Sequence, residues 1–271
     1  MSKDKEIMNV ADEQSLALLR DQFPVEQGFS RVSYPRIGFH SQDVTEGKGK
    51  AMKVIAEAGT FYTERQGDEL DENGKRAWVK DEIGKEIELI ILYKRHQLKH
   101  FDGTDYTSST IFDNDDEVVT LFKNKEVVEK GLPKDLKALP QFQGMSAKGK
   151  PISKLEDNRI LYVLYNGEVY QMNLRGSSMY SFLTYCRAQS PNTVLTNITS
   201  EAKENGAIEW NQMVFKAVRP VNAEEVNIIL DKTAEIKGNI EAEKGYFAAK
   251  SGAEGSVTVL SEAEIAFNGL K

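Results

Sequence analysis

The chain reads as an α+β protein built on an antiparallel β-barrel or curved sheet, with inserted helices and a long C-terminal helix. Three observations lead there. Short segments of period-two apolar alternation recur along residues 31–219, Asn73-Gly74 and Asn166-Gly167 stand between such segments as two-residue turn signals, and a 3–4-spaced apolar stripe follows Pro220.

Taken in order, residues 1–24 form a polar leader and a helix over Ala11–Phe23, with Leu16, Leu19 and Phe23 on one face and Pro24 as its stop. From Arg31 the pattern turns to strand (Val32, Tyr34, Ile37, Phe39), and Met52–Glu57 and Gly59–Arg65 follow as short extended segments. Gln66–Lys75 is a polar hairpin loop. In Lys85–Phe101, Ile87, Leu89, Ile91 and Tyr93 alternate with charged residues, but the run exceeds usual strand length, which predicts a bulge near Ile90–Leu92. Asp113–Phe122 is expected as a short acidic helix or turn, Leu132–Phe142 as a loop with one helical turn, and Gly144–Ser153 as the most flexible internal stretch. Arg159–Tyr165 and Glu168–Leu174 make a hairpin at Asn166-Gly167, running into a helix, Met179–Ala188, with Ser177 as N-cap and Phe182, Leu183 and Cys186 on its apolar face. Thr193–Ser200 and Ile208–Arg219 pair across Lys203–Gly206. Asn222 and Glu225 then form a capping box for a helix whose stripe is Val226, Ile229, Leu230, Thr233, Ile236 and Ile240. That stripe must be covered, by the chain's own sheet or by a second copy in a homo-oligomer. Residues 25–250 are thus expected as one core domain and 251–271 as a flexible tail. An OB-like barrel is one arrangement of such strands, and it suits a protein that grips a polymer along one face.

With 40% apolar and 28% charged residues in 271, the chain has a globular composition. It contains no apolar run of membrane-spanning length, a charged start without a secretory h-region, and a single cysteine, Cys186. These features predict no membrane association and a cytoplasmic location, the host's cytoplasm if the gene is carried by a phage. The net charge of −7 is unevenly spread. Gln27–Gln42, Leu89–Phe101, Leu136–Leu155 and Asn173–Ser200 hold no Asp or Glu and sum to +11, leaving −18 on the rest. A basic groove on an acidic body is compatible with that pattern.

Motifs for catalysis are absent. His96 and His100 are four apart without the glutamate of a zincin helix, and His40 and Cys186 do not complete a four-ligand zinc set. Gly47–Lys50 and Lys148-Gly149-Lys150 lack P-loop spacing, and Asp113–Glu117 lacks that of an EF-hand. The reading is therefore of a non-enzyme without metal or cofactor. What does stand out is aromatic residues interleaved with bases in the acid-free windows. Stacking rings and phosphate-tracking cations are what sequence-tolerant single-strand binders need, although buried rings dominate β cores as well. The residues expected to contact the strand are Lys94, Arg95, Lys99, Arg159 and Arg175 on phosphates and Phe61, Tyr93, Phe101 and Tyr106 as rings. Along Tyr93–Phe101, Lys94, His96, Leu98 and His100 face one way and Arg95, Gln97, Lys99 and Phe101 the other.

The order of Lys85–Tyr93, Tyr106-Thr107-Ser108-Ser109, and Arg159–Tyr162 through Gly176-Ser177-Ser178-Met179-Tyr180 resembles phage-encoded single-stranded-DNA-binding proteins with an OB-like core and large insertions. The resemblance is one of layout over residues 30–220. It implies sequence-tolerant binding of single-stranded DNA, or RNA, by a replication or recombination accessory of a phage or mobile element. The tail, Ser261–Lys271, departs from the family pattern: it is mildly acidic and ends on lysine, so the resemblance carries no partner recruitment by the tail. Two other readings stay open, a phage structural or assembly protein without nucleic-acid binding and an enzyme of unrecognised type.

Overall fold

A computed structural model describes residues 32–46, 52–70, 76–124, 126–146 and 149–252. The predicted N-terminal helix, its Pro24 stop and most of the tail lie outside the described residues. Fifteen strands occur among them: β1 Arg36–Phe39, β2 Val44–Glu46, β3 Lys53–Ala56, β4 Phe61–Leu70, β5 Arg76–Gly84, β6 Glu86–Phe101, β7 Tyr106–Ser109, β8 Val119–Lys123, β9 Glu126–Gly131, β10 Gln143–Met145, β11 Pro151–Ser153, β12 Glu156–Tyr165, β13 Glu168–Leu174, β14 Val194–Asn205 and β15 Ile208–Pro220. The α-helices are α1 Pro133–Ala138, α2 Gly176–Ala188 and α3 Ala223–Gly252.

Eleven strands share one sheet in the order β5-β4-β1-β13-β12-β6-β7-β8-β9, with β14 joining β6 and β15 joining β14. The path stays open, so the barrel alternative gives way to a sheet. That sheet is mixed rather than purely antiparallel, because β1 runs parallel to β13.

Local chemistry explains its central strands. Asn166 and Gly167 have φ of 49° and 81°, the left-handed pair that a two-residue hairpin turn demands, and Tyr165 pairs with Glu168 across it. On β6, Tyr93 pairs with Tyr162 and Ile91 with Val163, so Leu92 is an extra residue and the predicted bulge sits there. Side chains on β6 and β12 consequently divide between two cores. Ile87, Leu89, Ile91, Leu161 and Val163 meet Met179, Phe182 and Tyr185 of α2, together with Ile198 and Phe215 of the β14–β15 hairpin. Ile90, Leu92, Ile160, Tyr162 and Leu164 meet Ile229, Ile236 and Ile240 of α3. The α3 stripe is thus covered by the chain's own sheet, while Val226 and Leu230 remain exposed.

The helix starts follow two rules. At α3 the capping box is reciprocal: Asn222 N–H donates to Glu225 at 2.8 Å and Glu225 N–H to Asn222 Oδ1 at 2.9 Å. At α2 the expected Ser177 cap is not made. Arg175 occupies the N-cap position without a side-chain bond, and Ser177 Oγ instead accepts from Trp210 Nε1 at 3.0 Å. Two loop expectations also change. The acidic turn after Asp113 is followed by β8, whose Val119 and Leu121 are drawn into a third core with Leu98, Phe112 and Leu136. The glycine-rich stretch after Phe142 is a paired hairpin, with Gly144 opposite Ile152.

Candidate nucleic-acid interface

β6 carries the proposed contacts outward from the core, and its alternation separates them. Lys94 is exposed on the α2 face, where its charge acts on Cys186. His96 and Arg159 touch each other on that same face. Burial, then the adjacent guanidinium, lowers the His96 pKa to about 4, so the ring is neutral near pH 7. Lys94 and Arg159 therefore do not share a surface with Lys99.

The α3 face of β6 begins as core. The half-buried Tyr93 ring has the Lys237 ammonium 5.6 Å from its centroid and donates to Asp113 Oδ1 at 3.4 Å. Arg95 is 3% exposed, and its guanidinium donates to Asp113 Oδ1 at 2.9 Å and the Ile111 carbonyl at 3.2 Å. Lys244 of α3 meets the other Asp113 oxygen at 2.7 Å. Such a buried, satisfied guanidinium cannot leave for a phosphate without breaking its bonds to Asp113 and Ile111. Phe61 is fully buried in the α2-side core, so a base cannot stack on it. Phe61 and Arg95 are therefore structural, removed from the expected contacts by burial, and the half-buried Tyr93 is occupied by Asp113 and Lys237.

Past Arg95 the same face opens. Phe101 and Tyr106 are opposite one another across β6 and β7, with centroids 4.6 Å apart and planes 31° apart. Both rings are exposed. Lys99 lies two residues before Phe101 on that face. Its pKa falls from 10.5 to about 7, first through burial and then through the Arg175 and Arg36 guanidinium groups. Arg175, at the end of β13, is exposed. Of the nine expected contacts, the structure brings Lys99, Phe101, Tyr106 and Arg175 to one face.

The field of Arg36 on Lys99 extends this region to β1, β4 and β5, where sequence reasoning had singled out Phe61 alone as a contact. Arg36 lies 5.1 Å from the Trp78 ring centroid, and Lys80 lies 5.0 Å from that of Tyr62. His40 stacks on Tyr62 at 4.4 Å. The Tyr62 ring crosses Gly38, where a Cβ would stand 2.1 Å from it, so only glycine admits the stack. Glu64 anchors the group, 3.7 Å from Arg36 and 3.4 Å from Lys80. Arg36 and His40 fall in the first acid-free window, a signal that could have found them; Trp78 and Lys80 sit among acids and gave none.

Among the described residues no group of three or more His, Cys, Asp or Glu could hold a metal ion, and no helix is long and apolar enough to cross a membrane. No protein-family model, curated protein or solved structure matches the chain.

Proposed function

We propose that the protein binds single-stranded nucleic acid with little sequence preference, as a replication or recombination accessory would in the cytoplasm of a cell or phage host. The reading rests on one observation: a single sheet face carries aromatic rings beside cations at both ends, Trp78–Arg36 and Tyr62–Lys80 at one and Phe101–Tyr106 with Lys99 and Arg175 at the other. Rings of this kind stack on any base, and the cations between them follow the phosphates. Phe61, Tyr93, Lys94, Arg95 and Arg159 leave the proposed contact set; Arg36, Tyr62, Trp78 and Lys80 join it.

Fluorescence anisotropy with labelled oligo(dT) at two salt concentrations tests the proposal. Binding should weaken as salt rises, with a slope of about −0.7 per phosphate neutralised, and oligonucleotides of mixed sequence should bind comparably. No binding of a 30-nucleotide strand at low salt, about 20 mM, would refute it, since the electrostatic attraction is then at its strongest.

A further inference from the structure

The proposed lane runs out at β5, an edge strand of the sheet. Among the described residues β5 pairs with β4 alone, so the outer N–H and C=O groups along Arg76–Gly84 form a template for another strand. The edge at β15 differs. There the Asn211 N–H donates to the Ser41 carbonyl at 2.7 Å and the Glu209 carbonyl accepts from Gln42 Nε2 at 3.1 Å, so Ser41 and Gln42 already cover it. The edge at β9 is shorter, at six residues.

The charges on β5 identify what it would accept. Two copies of one edge strand that extend one sheet run antiparallel about a two-fold axis. Opposed residues must share a face, so that axis passes through a residue, and each choice of residue is one register. An axis at Trp78 sets Arg76 against the partner's Lys80. At Lys80, Asp81 or Glu82 it sets that side chain against its own copy, and like charges directly opposed are destabilising. An axis at Val79 opposes no like charges. It places Arg76 against the partner's Glu82, twice by symmetry, Trp78 against the partner's Lys80, and the exposed Val79 against its own copy.

We propose that two copies of the chain join through β5, antiparallel and centred on Val79, so that one sheet continues across the pair. Trp78 and Lys80 share the face of Arg36 and Tyr62, since Arg36 lies over the Trp78 ring and Lys80 over that of Tyr62. Trp78 opposite the partner's Lys80 repeats across the axis the ring-and-cation pairing found within each copy. In the strand-binding reading, on which this consequence alone rests, the two lanes meet end to end and a long strand crosses both copies.

The test uses the full chain. Sedimentation equilibrium should give a mass about twice the 30.4 kDa of one chain, falling on dilution. Arg76→Glu or Glu82→Arg alone opposes like charges twice and should weaken the dimer about tenfold, whereas the two together swap the pair and should restore it. Val79→Cys should form a reducible cross-linked dimer on a non-reducing gel, because its β-carbon stands within disulfide reach of its copy; Val128→Cys on β9 should not. Anisotropy with oligo(dT) separates the interface from the strand reading. Wild type and the double variant should prefer a 30-nucleotide strand to a 15-nucleotide one by about tenfold or more, and the single variants should lose that preference. A dimer that answers to the charge swap yet binds no strand keeps the interface and removes the strand reading. A single-chain mass at every concentration overturns the interface and gives the edge to a strand of other origin. It is equally overturned by a dimer indifferent to both reversals, by single variants that the swap does not restore, or by cross-linking through Val128→Cys in place of Val79→Cys.

Discussion

Replacing Lys99 by methionine removes the ammonium and keeps most of the volume of its stem. In the folded wild type its pKa is about 7, against 10.5 for an ordinary lysine, because burial and two guanidinium groups disfavour its charged form. Between those values the unfolded chain binds a proton that the folded chain has released. Stability therefore rises with pH across this window, by at most about 1.4 kcal/mol per pH unit, and the cost of holding Lys99 charged is fully present only below pH 7. Lys99→Met lacks this slope. Urea unfolding of both proteins at pH 7, 8 and 9 should show the variant's stability relative to wild type falling steadily as pH rises. A bound phosphate favours the charged ammonium, so wild-type affinity for oligo(dT) should fall from pH 7 to 9 while the variant's stays flat. Neither His96, at about 4, nor His40, whose pKa burial lowers, titrates in that range. Parallel stability curves would show that Lys99 is not held near neutrality, and the electrostatic account of the site would fail with them.

Phe101→Ala and Tyr106→Ala should each weaken oligo(dT) binding by about 1–3 kcal/mol in anisotropy titrations. Lys94→Ala, on the other face, should leave it unchanged, and a loss there equal to that of Lys99→Met would contradict the face assignment. Asp113→Ala should cost about 3–5 kcal/mol in urea unfolding, because it strands Arg95 inside the protein. Ile236→Ala should cost about 2–5 kcal/mol by opening a cavity under α3. Its sedimentation mass should match wild type; a change in mass would place Ile236 at an interface between copies instead of beneath its own sheet.

Features governed by neighbours in sequence were legible without a structure. The Asn166-Gly167 turn, the bulge at Leu92, the Asn222–Glu225 box and the α3 stripe each follow from residues within a few positions of one another. The alternation of Lys94 through Phe101 was legible too, but which alternate would be buried was not. Arg95 and Lys99 are the same kind of residue on the same face four positions apart. Only the arrival of Lys244 and Asp113, from distant segments, turns one into core while the other stays half-buried. Phe61 and Phe101 illustrate the same limit for rings. Ser177 resembled a cap because the rule is local, yet its hydroxyl is taken by Trp210 from β15.

The boundary between the two halves of that face is itself electrostatic. α3 covers Ile160, Tyr162 and Leu92, and the Asp113 carboxylate with Arg95 and Lys244 closes the end of this apolar contact. A satisfied charge network at that position ends the core without exposing apolar surface, so the following residues of β6 can be polar or aromatic and remain open. The acid-free run Leu89–Phe101 consequently does two jobs: its first part lacks acids because it is buried on both faces, and its last part lacks them while facing outward beside Arg175. Only the latter bears on an anionic partner. The chain's net charge of −7 does not oppose this, because screening limits the reach of the acidic remainder to about 8–10 Å at physiological salt, while Lys99 and Arg175 would meet a phosphate at contact.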